Sequence, residues 1–519
     1  MKRYKQLRKA KADVEWDIVV IGGGASGLGV ALESATRKYK TLLLEGADFA
    51  KGTSSRSTKL VHGGVRYLAQ GDISLVLEAL RERGLMRQNA PHLVKNQSFI
   101  IPNYEWWGGP FYTIGLKVYD MMAGKLGLGP SVHLTKQETL EALPTLKEEG
   151  LTGGVIYHDG QFDDARLSIN LTQTIIDYDG VAVNYTKVIG LLKDKDGMIC
   201  GVKVQDLIDG EIFEVKAKAV VNATGVFTDE ILRMDDANAA KKVVPSQGIH
   251  LVLDHDFLRG DHAIMIPKTD DGRVLFAVPW RGKVVVGTTD TLIENASLEP
   301  RALEEEIKFI LNTAGRYLTR SPKRSDVRSI FAGLRPLAAP EGEDKKTKEI
   351  SRSHKVIVSL SGLITITGGK WTTYRKMGED TINNAVILAG LPERPCQTEN
   401  LAIHGYTKNI DLNDHFYVYG SEAKAIKELI ENDPKLGEKL HERLDFTVAE
   451  VVWACKKEMA MTLDDVLARR VRALYLDARA AEEMAPKVAK IMAVELDKDA
   501  TWITQQVDEF SELAKGYYL

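Results

Sequence analysis

Cysteine is scarce in this chain. There are three in 519 residues, Cys200, Cys396 and Cys455, and no two are close in sequence. Without a Cys-x-x-Cys pair there is no redox disulfide and no zinc knuckle to expect. That argues against the disulfide-reductase type of redox enzyme and suits a reducing compartment. No histidine–cysteine–acid cluster has metal-ligand spacing, so no metal is expected. Long hydrophobic runs are missing as well. No stretch of about 18 apolar residues exists, so no membrane-spanning helix is expected. The first residues lack the apolar core of a secretory signal, so none is expected there. Neither sign of charge dominates: 69 Lys and Arg against 72 Asp and Glu leave a net charge of −3, which gives no reason to expect nucleic acid as a partner. No internal repeat or low-complexity segment stands out. A 44% hydrophobic and 27% charged composition is that of a globular protein, and 519 residues call for two or three domains.

What is present is concentrated first in residues 17–45. An apolar strand over residues 18–21 runs into Gly22-Gly23-Gly24-Ala25-Ser26-Gly27, then a helix, then a strand over residues 41–44 ending in Glu45. Strand, glycine turn, helix, strand and acid is the order a dinucleotide site requires. Gly22 permits the tight turn, Gly24 lets backbone approach a pyrophosphate, and Gly27 lets helix and strand pack closely. The helix N-terminus offers free N–H groups and a partial positive charge to the diphosphate. Glu45, eighteen residues after Gly27, is placed for a ribose hydroxyl and would repel a 2′-phosphate. FAD or NAD is therefore expected rather than NADP.

Residues 52–67 are hydroxyl-rich and broken by glycine, the composition that wraps a phosphate or a ring edge. A helix is expected over residues 73–89, followed by an aromatic patch of Tyr104, Trp106, Trp107, Phe111, Tyr112 and Tyr119. Strands are expected over residues 181–183, over 199–205 and 212–215 as a hairpin, and over 219–222 as a further strand ending in a small-residue turn. Residues 248–287 read as a separate antiparallel sheet with strands at 249–253, 274–278 and 283–286. A strand at 355–360 precedes Gly368-Gly369-Lys370, with a helix starting near Thr372. Beyond Pro395 the chain reads as charged and helical; Thr462, with Asp465 three residues on, marks one helix start. The fold class expected is α/β (α+β overall). A Rossmann-like dinucleotide domain (17–95, 150–245 and 350–392) carries an inserted antiparallel-sheet substrate domain (96–149 and 246–349), a C-terminal helical domain (393–519) and a basic N-terminal extension (1–16).

Seven segments together resemble the FAD-dependent glycerol-3-phosphate dehydrogenases of the D-amino-acid-oxidase-like superfamily. They are IGGGASGLG (21–29), TSSRSTKLVHGGVRYL (53–68), VVNATGVFTD (220–229), GIHLVL (248–253), FAGLRPL (331–337), TGGKWTTYRKM (367–377) and TLDDVLARR (462–470). The resemblance covers nearly the whole chain. It implies non-covalent FAD, hydride transfer from sn-glycerol 3-phosphate to give dihydroxyacetone phosphate, and electrons passed to membrane quinone. Related oxidases use oxygen instead and carry an extra segment of several tens of residues, for which this chain shows no room. An amine or hydroxy-acid oxidase of the same superfamily is a second reading, and a flavoprotein without turnover a third. A homodimer is expected as the assembly. Two departures stand out: the charged run at residues 341–349, which blurs the alignment around Arg352, and the basic extension before Asp17.

The resemblance places FAD on Gly22, Gly24, Ser26, Gly27, Glu45, Thr53, Ser54, Ser55, His62, Gly63, Ala223, Thr224, Gly225, Gly368, Gly369, Lys370 and Thr372. His62 belongs to the flavin loop and is not a covalent anchor. Lys370 and a helix starting near Thr372 would bring positive charge to the flavin's pyrimidine edge. His250 is the candidate base, since histidine titrates nearest neutrality. Arg66, Arg335 and Arg352 are candidates for the phosphate, because guanidinium presents a planar fork to oxygen anions. Tyr67 is a candidate substrate contact. His250, Arg335 and Lys370 form the expected catalytic set.

Quinone is confined to the bilayer, so a cytoplasmic protein seated peripherally on the inner face of the cell membrane is expected. Lys2, Arg3, Lys5, Arg8, Lys9 and Lys11 put six positive charges in the first eleven residues. Near an anionic lipid surface each is worth roughly 1 kcal/mol. Trp106, Trp107, Phe111 and Tyr112 are candidates for the headgroup interface.

Overall fold

The computed structural model describes residues 1–64, 72–104, 108–267, 269, 273–339 and 353–519, without the side chains of residues 108–111 and 125. The first sheet runs in the order Lys355–Val358, Ile364–Thr367, Ile212–Asn222, Glu15–Ile21, Thr41–Leu44, Val181–Val183. Glu15–Ile21 lies parallel to both its neighbours. Residues 18–21 are all buried, as a strand covered on both faces demands. Ile18 and Val20 point into a core built with the helices Ala25–Thr36, Asp164–Asp177 and Tyr374–Leu388. Val19 and Ile21 point into the opposite core, under the strands Thr186–Lys193 and Ile199–Asp206.

The strands expected separately over 212–215 and 219–222 are one. Residues 212–216 of Ile212–Asn222 pair antiparallel with Ile199–Asp206, and residues 216–222 pair in parallel with Glu15–Ile21. The sequence changes there from alternating to continuously apolar because the strand passes from a half-covered hairpin into the buried sheet. The basic N-terminus is not a free tail. Arg3–Ala10 is a helix docked on this domain, with Gln6 and Ala10 buried. Arg3 donates to Asp206 Oδ1 at 2.7 Å, and Lys11 pairs with Glu211 at 2.5 Å. Lys2, Lys5, Arg8 and Lys9 stay exposed.

The second sheet has the order Thr291–Leu292, Val243–Asp254, Lys283–Gly287, Leu275–Trp280, Ala263–Ile266, Val94–Asn103, Gly153–Phe162, Leu60–Val61, with Ser329–Ala338 also paired along Val243–Asp254. Leu60–Val61 and Gly153–Phe162 lie in segments expected to belong to the dinucleotide domain. They join this sheet because Gly153–Phe162 pairs along its full length with Val94–Asn103, stacking Tyr157 on Phe99 with ring centroids 5.2 Å apart. The helix Ile73–Asn89 has the bounds expected, whereas the helix Gly108–Ala123 occupies part of the aromatic patch. Trp106 and Trp107 lie outside the described residues, and so does the side chain of Phe111.

The C-terminal segment is mainly helical, with Val448–Lys457, Ala478–Leu496 and Ala500–Ala514, but includes an unanticipated hairpin of Lys439–His441 and Leu444–Thr447. Thr462 caps as expected: Asp465 N–H donates to its hydroxyl at 3.3 Å, and Thr462 N–H donates to Asp465 at 3.1 Å. The turns that follow drive arginines into the dinucleotide domain. Arg469 Nε donates to Asp48 Oδ2 at 2.6 Å, and Arg470 Nη1 to the same oxygen at 2.7 Å. Burial pushes the Asp48 carboxyl up, but Arg470 and Arg469 outweigh it and hold it at about 2. Buried charges persist only when paired in this way.

Candidate active site

The chain turns after Glu15–Ile21 at Gly22, whose φ is +108° and where a Cβ would lie 2.7 Å from the Ala223 carbonyl oxygen. One turn into the helix, a Cβ on Gly27 would lie 1.8 Å from the Gly22 carbonyl oxygen. The turn and helix fit only as glycine. Ser54 Oγ accepts from Ala25 N–H at 2.8 Å, tying the 53–55 loop to the helix start. Glu45 closes the site: its carboxylate accepts from Gly23 N–H at 2.5 Å and Ala47 N–H at 2.7 Å, while burial pushes its carboxyl up.

A cavity of about 460 Å³ opens over this turn, lined by Gly22, Gly24, Ser26 and Glu45 and by Ala223, Thr224 and Gly225. A second, of about 330 Å³, is lined by His62, His250, Arg335 and Thr372. Thr53, Pro336, Gly368, Gly369, Lys370 and Trp371 line both, so the two meet at the Gly368–Lys370 turn. Trp371 Nε1 donates to Ser54 O at 2.8 Å, and Thr53 Oγ1 to Leu334 O at 2.5 Å, locking the three segments together. A glycine cradle with no room for a side chain, a helix start and a carboxylate at the strand end form a donor and acceptor set that fits FAD.

His250 sits in the second cavity. Its Nε2 is 2.9 Å from Thr58 Oγ1, and its ring stacks on Phe331 at 4.8 Å between centroids. Burial, then the charges of Lys59 and Arg335, hold the imidazole well below its ordinary pKa. It is neutral near pH 7 and able to accept a proton. Arg335 Nη2 donates to Thr288 Oγ1 at 3.0 Å, and Nη1 lies 3.5 Å from Asp290 Oδ1.

The structure thus brings His250, Arg335 and Lys370 to one cavity. Ser55 is different: it lines neither cavity, its hydroxyl is 3.4 Å from that of Tyr475, and its carbonyl faces the C-terminal domain. Gly63 also lines neither; its N–H donates to Asp159, and a Cβ there would press on Leu80 and Tyr119. Both residues support the cavity wall from behind. Arg66, Tyr67 and Arg352 lie outside the described residues, as does the charged run at 341–349. Thr58, Arg56, Arg273, Thr288 and Asp290 also line the second cavity, and no local pattern in the sequence marks them. Thr58 was embedded in a hydroxyl-rich loop, with nothing in its neighbours to single it out.

A dinucleotide trough opening onto a cavity with a neutral histidine and cations defines an FAD-dependent oxidoreductase. Residues 17–375 match the family described as FAD dependent oxidoreductase, and residues 396–502 match the C-terminal domain of alpha-glycerophosphate oxidase. The mitochondrial glycerol-3-phosphate dehydrogenase of Homo sapiens is 40% identical over 532 residues, covering 96% of this chain and 73% of that one. That of Schizosaccharomyces pombe is 37% identical over 580 residues, covering 99% and 89%. The structure of the glycerol-3-phosphate dehydrogenase from Bacillus halodurans complexed with FAD superposes with a TM-score of 0.81 at 29% identity, covering 99% of this chain and 97% of that one. The chain belongs to the FAD-dependent oxidoreductases and, among them, to the glycerol-3-phosphate dehydrogenase family.

Proposed function

We propose that the chain oxidises sn-glycerol 3-phosphate to dihydroxyacetone phosphate and passes the electrons to membrane quinone. The observation that carries the first half is the convergence of His250, Arg335 and Lys370 on one cavity beside the dinucleotide trough. When bound there, FAD supplies the two-electron acceptor. His250 takes the proton of the C2 hydroxyl. Arg335 binds the phosphate, with its fork oriented by Thr288 and Asp290. Lys370 holds positive charge where the two cavities meet. An amino or hydroxy acid would bring a single carboxylate, which this set of cations overserves. Anaerobic glycerol 3-phosphate should bleach the bound flavin, while amino acids and 2-hydroxy acids should not. Bleaching by an amino acid would move the protein to another substrate class.

Arg335→Ala should lower kcat/KM for glycerol 3-phosphate at least about tenfold, since a charged hydrogen-bonding group is worth roughly 1.5–3 kcal/mol. Glycerol, lacking phosphate, should be a poor substrate with little further loss. An unchanged kcat/KM would remove Arg335 from the site.

Docking on the inner face of the cell membrane belongs to the same proposal. Among the described residues no helix is long and apolar enough to cross a membrane. The helix Gly108–Ala123 buries Leu116 and Tyr119, yet leaves Ile114 and Met121 68% and 81% exposed, with Val118 between them and Lys117 alongside. Spacing of four and three residues puts the three apolar side chains on one face. With Lys2, Lys5, Arg8 and Lys9 exposed elsewhere, this supports an interfacial seat on anionic lipid. Sedimentation with anionic vesicles should pull down the protein at low salt, and Met121→Glu should weaken that retention. Protein that stays in the supernatant at low salt would favour a soluble acceptor.

A further inference from the structure

We propose that Arg472, carried by the C-terminal domain, and Lys59 are positioning residues for proton removal, holding the 55–59 loop so that Thr58 meets His250. This rests on the reading of His250 as the base. Lys59, Asp164 and Arg472 are fully buried and line neither cavity, so they act on the reaction only through other groups. Their geometry converges on two acceptors. Lys59 Nζ donates to Ser55 O at 2.7 Å and Asp164 Oδ2 at 2.6 Å. Arg472 Nη2 donates to the same carbonyl and to Asp164 Oδ1, both at 2.9 Å. The Ser57 hydroxyl donates to Asp164 Oδ2 at 2.7 Å.

The residues on either side of Thr58 are therefore both tied to one buried carboxylate. Between them Thr58 Oγ1 stands 2.9 Å from His250 Nε2. Lys59 and Arg472 both have φ of +64°, a backbone state that such side chains keep only where their surroundings over-determine it. A second line of contact runs through Phe331, which stacks on His250 and has the Lys59 ammonium 5.1 Å from its ring centroid. Trp280 and Tyr475 lie 5.5 and 5.4 Å from the same ammonium. The C-terminal domain, remote from the trough in sequence, thus completes the wall behind the base.

The test uses full-length, FAD-loaded enzyme. Anaerobic flavin reduction by glycerol 3-phosphate is followed by stopped flow across pH and normalised to bound FAD. Arg472→Lys and Lys59→Met should lower the limiting reduction rate about 10²-fold, the cost of a small misplacement of a reacting group. Substrate affinity and FAD content should change little. The charges facing His250 are those of Lys59 and Arg335, and those facing the Lys59 ammonium are Asp164, Asp163 and Arg472. Lys59→Met removes one positive charge near the imidazole, so its pH limb should move upward; in Arg472→Lys, which keeps the charge, it should stay in place. A purely structural role would lower Tm and leave the pH limb and the rate per bound FAD at parental values, which overturns the proposal. Should those variants fail to fold, Thr58→Val should show the same rate loss and Thr58→Ser should recover it; a parental rate in Thr58→Val overturns the proposal equally. A parent whose flavin is not reduced by glycerol 3-phosphate overturns the functional reading and this inference with it. A reduced parent with unaffected variants overturns this inference alone.

Discussion

His250→Ala is expected to slow flavin reduction by glycerol 3-phosphate about 10²–10⁴-fold, the range that a positioned general base contributes. FAD should remain bound, because His250 lines the substrate cavity and not the trough over the glycine turn. Binding should weaken less than the rate falls. The sign of the pH dependence follows from the environment. Burial, Lys59 and Arg335 hold the imidazole low, so the neutral, proton-accepting form is present throughout the neutral range. A phosphate dianion arriving at Arg335 offsets that charge and raises the basicity of the imidazole as substrate binds. In the parent the rate should fall as pH drops through the pKa of the complex; in the variant that limb should vanish. Stopped-flow reduction with a substrate titration at each pH checks both. A variant that reduces flavin at the parental rate would assign the proton to another group or to bulk water.

Gly27→Val should yield protein depleted of FAD. A Cβ at that position would lie 1.8 Å from the Gly22 carbonyl oxygen, which is backbone and cannot step aside. The helix start must then back away from the strand, carrying with it the N–H groups that would hold a pyrophosphate. Overpacking of this kind costs about 1–3 kcal/mol, and where it falls on the bound state it weakens FAD affinity about 5- to 150-fold. The ratio of flavin to protein absorbance after purification reads the result. A yellow variant with parental flavin content would show that the turn tolerates a side chain and that the cofactor is held elsewhere.

The parts of this molecule legible in the sequence are those with short-range physical signatures. Gly22, Gly24, Gly27 and Glu45 were readable because one βαβ unit contains the whole pattern. The helix Ile73–Asn89 and the Thr462–Asp465 cap were readable for the same reason. His250 was not readable from its strand alone: a histidine between Ile249 and Leu251 has the pattern of a core residue, and only the resemblance singled it out. The continuity of Ile212–Asn222 was hidden because its two halves obey different burial patterns. The place of Gly153–Phe162 in the second sheet depends on a partner strand some sixty residues earlier. Thr58, Asp164 and Arg472 were invisible for a sharper reason. Their meeting spans 308 residues between Asp164 and Arg472 alone, and no local periodicity records it.

The ion pairs between Asp48 and Arg470 also set a clock for biosynthesis, since 422 residues separate the partners. At roughly 5–20 residues per second on the ribosome, about 20 to 80 s pass between the emergence of the aspartate and that of its arginine. Glu15–Ile21 waits as well, because its second neighbour, Ile212–Asn222, is made long after its first. Through that interval the nascent chain carries an open strand edge and a carboxylate without the cations that hold it in the finished protein. The glycine turn is translated long before the strand and the arginine that close the domain around it.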